Sequence, residues 1–121
     1  MLPVLDPGVA APFYQQLGFT VSGGDPLEEL VMERPGLQLV LCRAAQLDRD
    51  DGRPRVVLTV SLDVLEAAWA RDTRDERTLP GPTLSSEGAF EYRTRDPSGN
   101  RVRLLSYLPD PGGLPDPGGA R

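Results

Sequence analysis

An α+β fold built from two similar halves is predicted by three observations. A seven-residue pattern occurs twice, as Leu5-Asp6-Pro7-Gly8-Val9-Ala10-Ala11 and Leu62-Asp63-Val64-Leu65-Glu66-Ala67-Ala68, with Leu, Asp and the Ala-Ala pair at matching places 57 residues apart. In each copy a stretch of strand character gives way to helical periodicity. Three further strand-like stretches follow each helix, so each half reads strand, helix, then three strands, a βαβββ module.

The first helix starts at Asp6, whose carboxylate suits an N-cap because it accepts from free backbone N–H groups at the positive end of the helix dipole. Pro7 fits the first helical position, where its missing N–H costs nothing. Helical spacing predicts burial of Val9, Ala10, Phe13 and Leu17, and Gly18 stops the helix. Pro12 removes one backbone hydrogen bond and should kink or shorten it. Strands are expected at residues 19–22, 28–34 and 37–43, with Pro35-Gly36 turning between the last two.

A strand over 55–62 opens the second half, followed by a helix over 63–73 with Asp63 as its N-cap and Leu65, Ala68 and Trp69 buried. Residues 78–86 carry no clear period. Strands over 89–95 and 101–108 pair across Asp96-Pro97-Ser98-Gly99-Asn100, whose Pro and Gly suit a turn with one left-handed residue. The expected organisation is one domain over 1–107: module one at 1–46, a charged, exposed linker at 47–54, and module two at 55–107. Residues 108–121 repeat Leu-Pro-Asp-Pro-Gly-Gly and offer little to bury, so a disordered or loosely packed tail is expected.

Composition removes several function classes. The chain has no histidine and no lysine, and all thirteen basic residues are arginine. Histidine general-base chemistry, histidine metal ligation and lysine Schiff bases are therefore excluded. A net charge of −5 opposes attraction to nucleic acid backbones. No apolar run approaches the roughly 20 residues that cross a bilayer, and no secretion signal is visible, so a cytoplasmic protein without membrane partners is expected. The single cysteine, Cys42, cannot close an intramolecular disulfide and reads as a small buried hydrophobe.

Phe13-Tyr14-Gln15-Gln16-Leu17-Gly18-Phe19 after Asp6, together with Asp96-Pro97-Ser98-Gly99-Asn100 before a final strand, resembles the vicinal oxygen chelate superfamily of glyoxalases, bleomycin resistance proteins and extradiol dioxygenases. The resemblance covers about residues 2–107. It implies two βαβββ modules whose curved sheets enclose a cleft, usually in a homodimer. A half of 57 residues buries too little apolar surface to stand comfortably alone, which independently favours docking on another half. In metal-dependent members, the resemblance implies, ligands come from the first, fourth, fifth and eighth strands. The corresponding positions here are Val4 or a neighbour, Gln38, Val57 and Arg103. Valine has no lone pair and a guanidinium repels a divalent cation, so no metal and no other cofactor is expected.

Strand alternation sorts the candidate lining. Phe90, Tyr92 and Thr94 should pack beneath a helix, leaving Glu91, Arg93 and Arg95 on the other face; Val102, Leu104 and Ser106 likewise oppose Arg103, Leu105 and Tyr107. The expected ligand-binding residues are Gln38, Val57, Thr59, Glu91, Arg93, Arg103 and Tyr107. Arg93 or Arg103 could engage a carboxylate or phosphate in a bidentate way. Against that stands a plainer reading, in which Glu91, Arg93 and Arg103 merely pair with one another on a wet sheet face. Tyr14 and Trp69 read as core or interface residues, and Glu28, Glu29 and Glu33 as a solvated edge hairpin.

The functional expectation is a metal-free protein of the glyoxalase/bleomycin resistance type that binds a small organic molecule, an anion included, without catalysis. Its rivals are a glyoxalase- or dioxygenase-like enzyme holding a metal through carboxylates and water, and a non-catalytic regulatory subunit.

Overall fold

The computed structural model describes residues 1–47, 49–74 and 81–107. The element order is β1 (Leu2–Val4), α1 (Pro7–Gln15), β2 (Thr20–Asp25), β3 (Glu29–Arg34), β4 (Leu37–Arg43), β5 (Val56–Thr59), α2 (Leu62–Arg74), β6 (Thr83–Leu84), β7 (Ala89–Arg95) and β8 (Arg101–Tyr107). One sheet runs in the order β1-β4-β3-β2 and the other β5-β8-β7-β6. The second order is the first with each strand advanced by four, so the two halves share one topology, as the repeated pattern predicts.

In the first sheet β1 pairs parallel with β4, while β2, β3 and β4 are antiparallel neighbours. In the second, Arg55 N–H donates to Arg101 O and Val60 N–H to Leu105 O, both at 2.8 Å, so β5 and β8 also run in the same direction. By contact, the described residues of 1–56 with 94–102 form one compact unit, and those of 57–93 with 103–107 form another.

Asp6 caps α1 as expected. Its Oδ1 accepts from Gly8 N–H at 2.9 Å and Val9 N–H at 3.3 Å, and Pro7 occupies the first turn. The buried stripe of α1 is Pro7, Ala10, Ala11, Phe13 and Tyr14, with Leu17 buried just beyond. Val9, expected in that stripe, is 58% exposed. Tyr14 takes its place in the stripe because i, i+3, i+4 and i+7 spacing from Pro7 selects 10, 11 and 14. Pro12 is exposed and the helix is short, nine residues ending at Gln15 rather than reaching Gly18.

The second helix departs from the repeat at its cap. Ser61 Oγ accepts from Val64 N–H at 3.3 Å and Ser61 O from Leu65 N–H at 3.1 Å, so Ser61 occupies the N-cap and Asp63 stands inside the first turn. The carboxylate still faces the dipole's positive end there. Starting the helix at Leu62 also shortens β5, which ends at Thr59 instead of residue 62. Leu65 and Ala68 are buried, but Trp69 is 37% exposed, its ring lying over Gly81.

Other boundaries move for local reasons. β2 extends to Asp25 through Gly23-Gly24, with a bulge between Val21 and Gly23, and every residue in it is exposed. Glu28, Glu29 and Glu33 are exposed, yet β3 lies between β4 and β2 and is not an edge strand. Within the unassigned stretch, Thr83–Leu84 forms β6; residues 78–80 lie outside the described residues, as do 108–121 and Asp48 of the linker. Among the described residues no helix is long and apolar enough to cross a membrane.

Candidate functional site

The second sheet sorts its side chains by alternation. Val56, Leu58, Val60, Tyr92, Thr94, Val102, Leu104 and Ser106 are buried, and the Tyr92 hydroxyl donates to Asp72 Oδ2 on α2 at 2.6 Å, which identifies this as the helix-covered face. Val57, Thr59, Glu91, Arg93 and Arg103 therefore occupy the opposite face. Alternation fails at Leu105, which is 6% exposed although it shares the side of Arg103 and Tyr107.

On that opposite face Glu91 joins two arginines. Its Oε2 accepts from Arg93 Nε at 2.6 Å, and its Oε1 accepts from Arg103 Nη2 at 2.8 Å across the β7–β8 pair. The Glu91 side chain is 15% exposed, Arg103 25% and Arg93 61%. The Glu91 carboxyl is held down to about 2, chiefly by the hydrogen bonds from Arg103 and then Arg93. The same bond pushes Arg103 above its ordinary value. Arg103 Nε is buried and has no hydrogen-bond partner among the described residues, and Glu87 approaches Arg103 Nη2 only to 3.9 Å. Tyr107, 53% exposed, lies further along the same strand.

Of the residues expected from sequence, the structure brings Glu91, Arg93 and Arg103 together, with Tyr107 further along β8. Val57, 53% exposed, and Thr59 lie on β5, the strand hydrogen-bonded to β8. Gln38 belongs to the first sheet. Its Nε2 donates to Glu33 Oε2 at 3.2 Å, its register partner across the Pro35-Gly36 turn. The two line an open concavity of about 450 Å³ with Arg34, Gly36 and Leu37. Arg34 is anchored there, donating to Leu17 O at 3.1 Å and lying 5.4 Å above the Phe19 ring.

Three features escaped the sequence reading. Glu87 precedes β7 in a turn, where period gives no direction. Asp50 in the linker accepts from Arg101 Nε at 2.8 Å and lies 3.7 Å from Arg95, which lowers its carboxyl to about 2, Arg101 contributing most. Cys42 is half-buried rather than buried, with Sγ 3.3 Å from Met1 Sδ and 3.4 Å from Glu29 Oε2; desolvation, then Glu29, pushes the thiol up.

Of the positions that the resemblance assigns to metal ligands, only Gln38 carries a side-chain oxygen able to ligate a cation, and its amide is bonded to Glu33. The side chains of Val4 and Val57 offer no donor atom, and Arg103 brings a guanidinium already bound to Glu91, so the set does not fit a cation.

Neither a protein-family model nor a curated protein matches the chain. Solved structures do. A possible glyoxalase from Bacillus cereus superposes with TM-score 0.67 at 20% identity, covering 86% of this chain and 92% of that one. A bleomycin resistance determinant encoded on the transposon Tn5 gives 0.58 at 24%, covering 88% and 92%. A bleomycin-binding protein complexed with bleomycin gives 0.57 at 25%, covering 88% and 94%. With the shared strand order of its two halves, the chain thus has the vicinal oxygen chelate fold, that of the glyoxalase/bleomycin resistance/dioxygenase superfamily.

Proposed function

We propose that this protein binds a small organic anion, without a metal and without catalysis, on the face of the second sheet that carries Glu91, Arg93 and Arg103. The observation that carries the reading is the shared Glu91 carboxylate. It bonds both guanidinium groups, at 2.6 and 2.8 Å, so part of the cost of ordering two long side chains, chiefly that of the less exposed Arg103, is met before any ligand arrives. Val57 and Tyr107, each 53% exposed, offer apolar surface to the ligand's body, with the Thr59 hydroxyl nearby on β5. The likeness to a protein complexed with bleomycin supports binding as a use of this fold.

A bulky cationic drug suits this face poorly, because arginine repels it. Gln38, bonded to Glu33 in the first sheet, is no part of the proposed face. A homodimer and a cytoplasmic setting complete the proposal, and light scattering of the purified protein tests the former.

The test is a panel of organic anions, cations and neutral compounds read by melting temperature and by the fluorescence of Trp69, the single tryptophan. A true ligand at 100 times its Kd stabilises the fold by about 2.7 kcal/mol. A panel in which no compound shifts either signal overturns the proposal. Stoichiometric transition metal in protein purified without chelator favours the metal-dependent enzyme instead.

A further inference from the structure

Resting on the proposed anion-binding face, we infer that the site selects a singly charged carboxylate on an aromatic or apolar body over a doubly charged one, with Glu91 as its built-in counter-charge. Donors outnumber acceptors in the cluster. Glu91 supplies one oxygen to each arginine, which leaves both Nη groups of the 61%-exposed Arg93 without a hydrogen bond among the described residues. The surplus calls for one further acceptor bearing negative charge.

The charge balance limits how much. Arg93 and Arg103 contribute two positive charges and Glu91 removes one, since its carboxyl stays ionised down to about pH 2. Glu87 at 3.9 Å from Arg103, with its side chain 62% exposed, subtracts part of the remainder. One carboxylate neutralises what is left, whereas a second meets Glu91 and Glu87 at close range in a protein of net charge −5. Arg93 is the residue that reaches the ligand, being 61% exposed, and Arg103 at 25% is the positioning residue that fixes Glu91. Tyr107 gives a flat apolar surface on the same side, matching a planar body.

Calorimetric titration of the purified full chain with benzoate and with phthalate at pH 7 tests this, using the wild type, Glu91→Gln, Arg93→Gln and Arg95→Gln. Wild type should bind benzoate at least about 10-fold more tightly than phthalate, and Glu91→Gln should reverse or erase that preference, because removing one charge from a site a few ångströms wide is worth about a factor of ten or more. Arg93→Gln should weaken benzoate about 10-fold and Arg95→Gln, whose arginine faces Asp50, should leave it unchanged. The Arg93 and Arg95 pair decides the matter even if Glu91→Gln fails to fold. A wild type that prefers phthalate, a preference untouched by Glu91→Gln, or equal effects from the two arginine variants overturns the inference while leaving anion binding intact. Binding of neither probe, together with a silent compound panel, removes both.

Discussion

The Tyr14 hydroxyl donates to Asp96 Oδ2 at 2.7 Å, joining α1 to a turn 82 residues later in the chain. Both residues are buried, and Asp96 also accepts from Ser98 N–H, Asn100 N–H and the Asn100 side-chain amide, all between 2.9 and 3.0 Å. Asn100 Nδ2 donates in addition to Pro3 O of β1 at 2.9 Å, and Ser98 Oγ accepts from Leu5 N–H at 2.9 Å. The Asp-Pro-Ser-Gly-Asn turn is thus a bracket bound to the first strand and helix. Burial, then the Asp96 charge, raises the Tyr14 phenol above its ordinary value, which favours the protonated donor.

Removing that donor takes from Asp96 Oδ2 one of its two hydrogen bonds, the other coming from Asn100 Nδ2. Tyr14→Phe should cost about 1.5–3 kcal/mol, the worth of a hydrogen bond to a charged group, although it keeps the ring and its edge-on contacts with Phe13 and Phe19. Asp96→Asn should cost a similar amount, because an amide NH₂ turned toward the surrounding donors repels at least one of them. Urea denaturation of the two variants measures both. A loss below about 0.5 kcal/mol in each would show that the bracket does not stabilise the fold.

The two helix starts give a sharper test, because the repeated Leu-Asp pattern treats them alike and the structure does not. Asp6→Ala should destabilise by about 1 kcal/mol, the usual worth of an N-cap. At the second start the loss should follow Ser61→Ala rather than Asp63→Ala, whose carboxylate contributes only a dipole interaction of a few tenths. Equal losses at Ser61 and Asp63 contradict the capping geometry.

How far sequence carries is visible in this contrast. The order of elements was legible because strand and helix periods differ and the two halves repeat them; so was the composition of the Glu91, Arg93, Arg103 face, since alternation along β7 and β8 fixes which residues share a side. Val9 was misplaced because a nine-residue helix with few polar residues fits more than one apolar stripe, and burial of Tyr14 decided between them. Who bonds with whom was not legible at all. Nothing in one dimension shows that Glu91 serves two arginines, or that Asp50 in a charged linker meets Arg101 from 51 residues away. Those pairings depend on strand register and on side-chain reach, which local pattern does not encode.

Gly24 should be the least replaceable glycine of the first sheet. Its φ is +94°, in the left-handed region, and an added Cβ would drive into the Glu29 carbonyl of the neighbouring strand, which is backbone and cannot swing aside. Gly36 in the β3–β4 turn has φ +77° but open space around it. Gly24→Ala is therefore expected to cost roughly 3 kcal/mol or more, from strain and a displaced strand, and Gly36→Ala about 1 kcal/mol, from backbone conformation alone. Thermal unfolding of the two variants side by side checks the order; a Gly36 variant as unstable as the Gly24 variant contradicts it.

The pH dependence of Glu91 follows from the direction of its shift. Its folded-state carboxyl lies at about 2 against an ordinary 4.5, so the ionised form is favoured in the folded protein. The stability this confers is present in full above pH 4.5, where the unfolded chain is ionised too, and is lost as pH falls from 4.5 through about 2, where the folded protein takes up the proton. The pair with Arg93 is well exposed and contributes little, so the part that matters is the Arg103 bond at 2.8 Å. Glu91→Gln should accordingly lower the unfolding free energy by about 1 kcal/mol at pH 7 and leave it unchanged relative to wild type near pH 2. Because Asp50 is lowered over the same range by Arg101, the wild type itself weakens there, and only the difference between wild type and Glu91→Gln isolates the carboxylate. Urea denaturation at pH 7, 4 and 2.5 measures that difference, and a gap that stays constant across the three would mean that Glu91 holds its arginines without any charge contribution to stability.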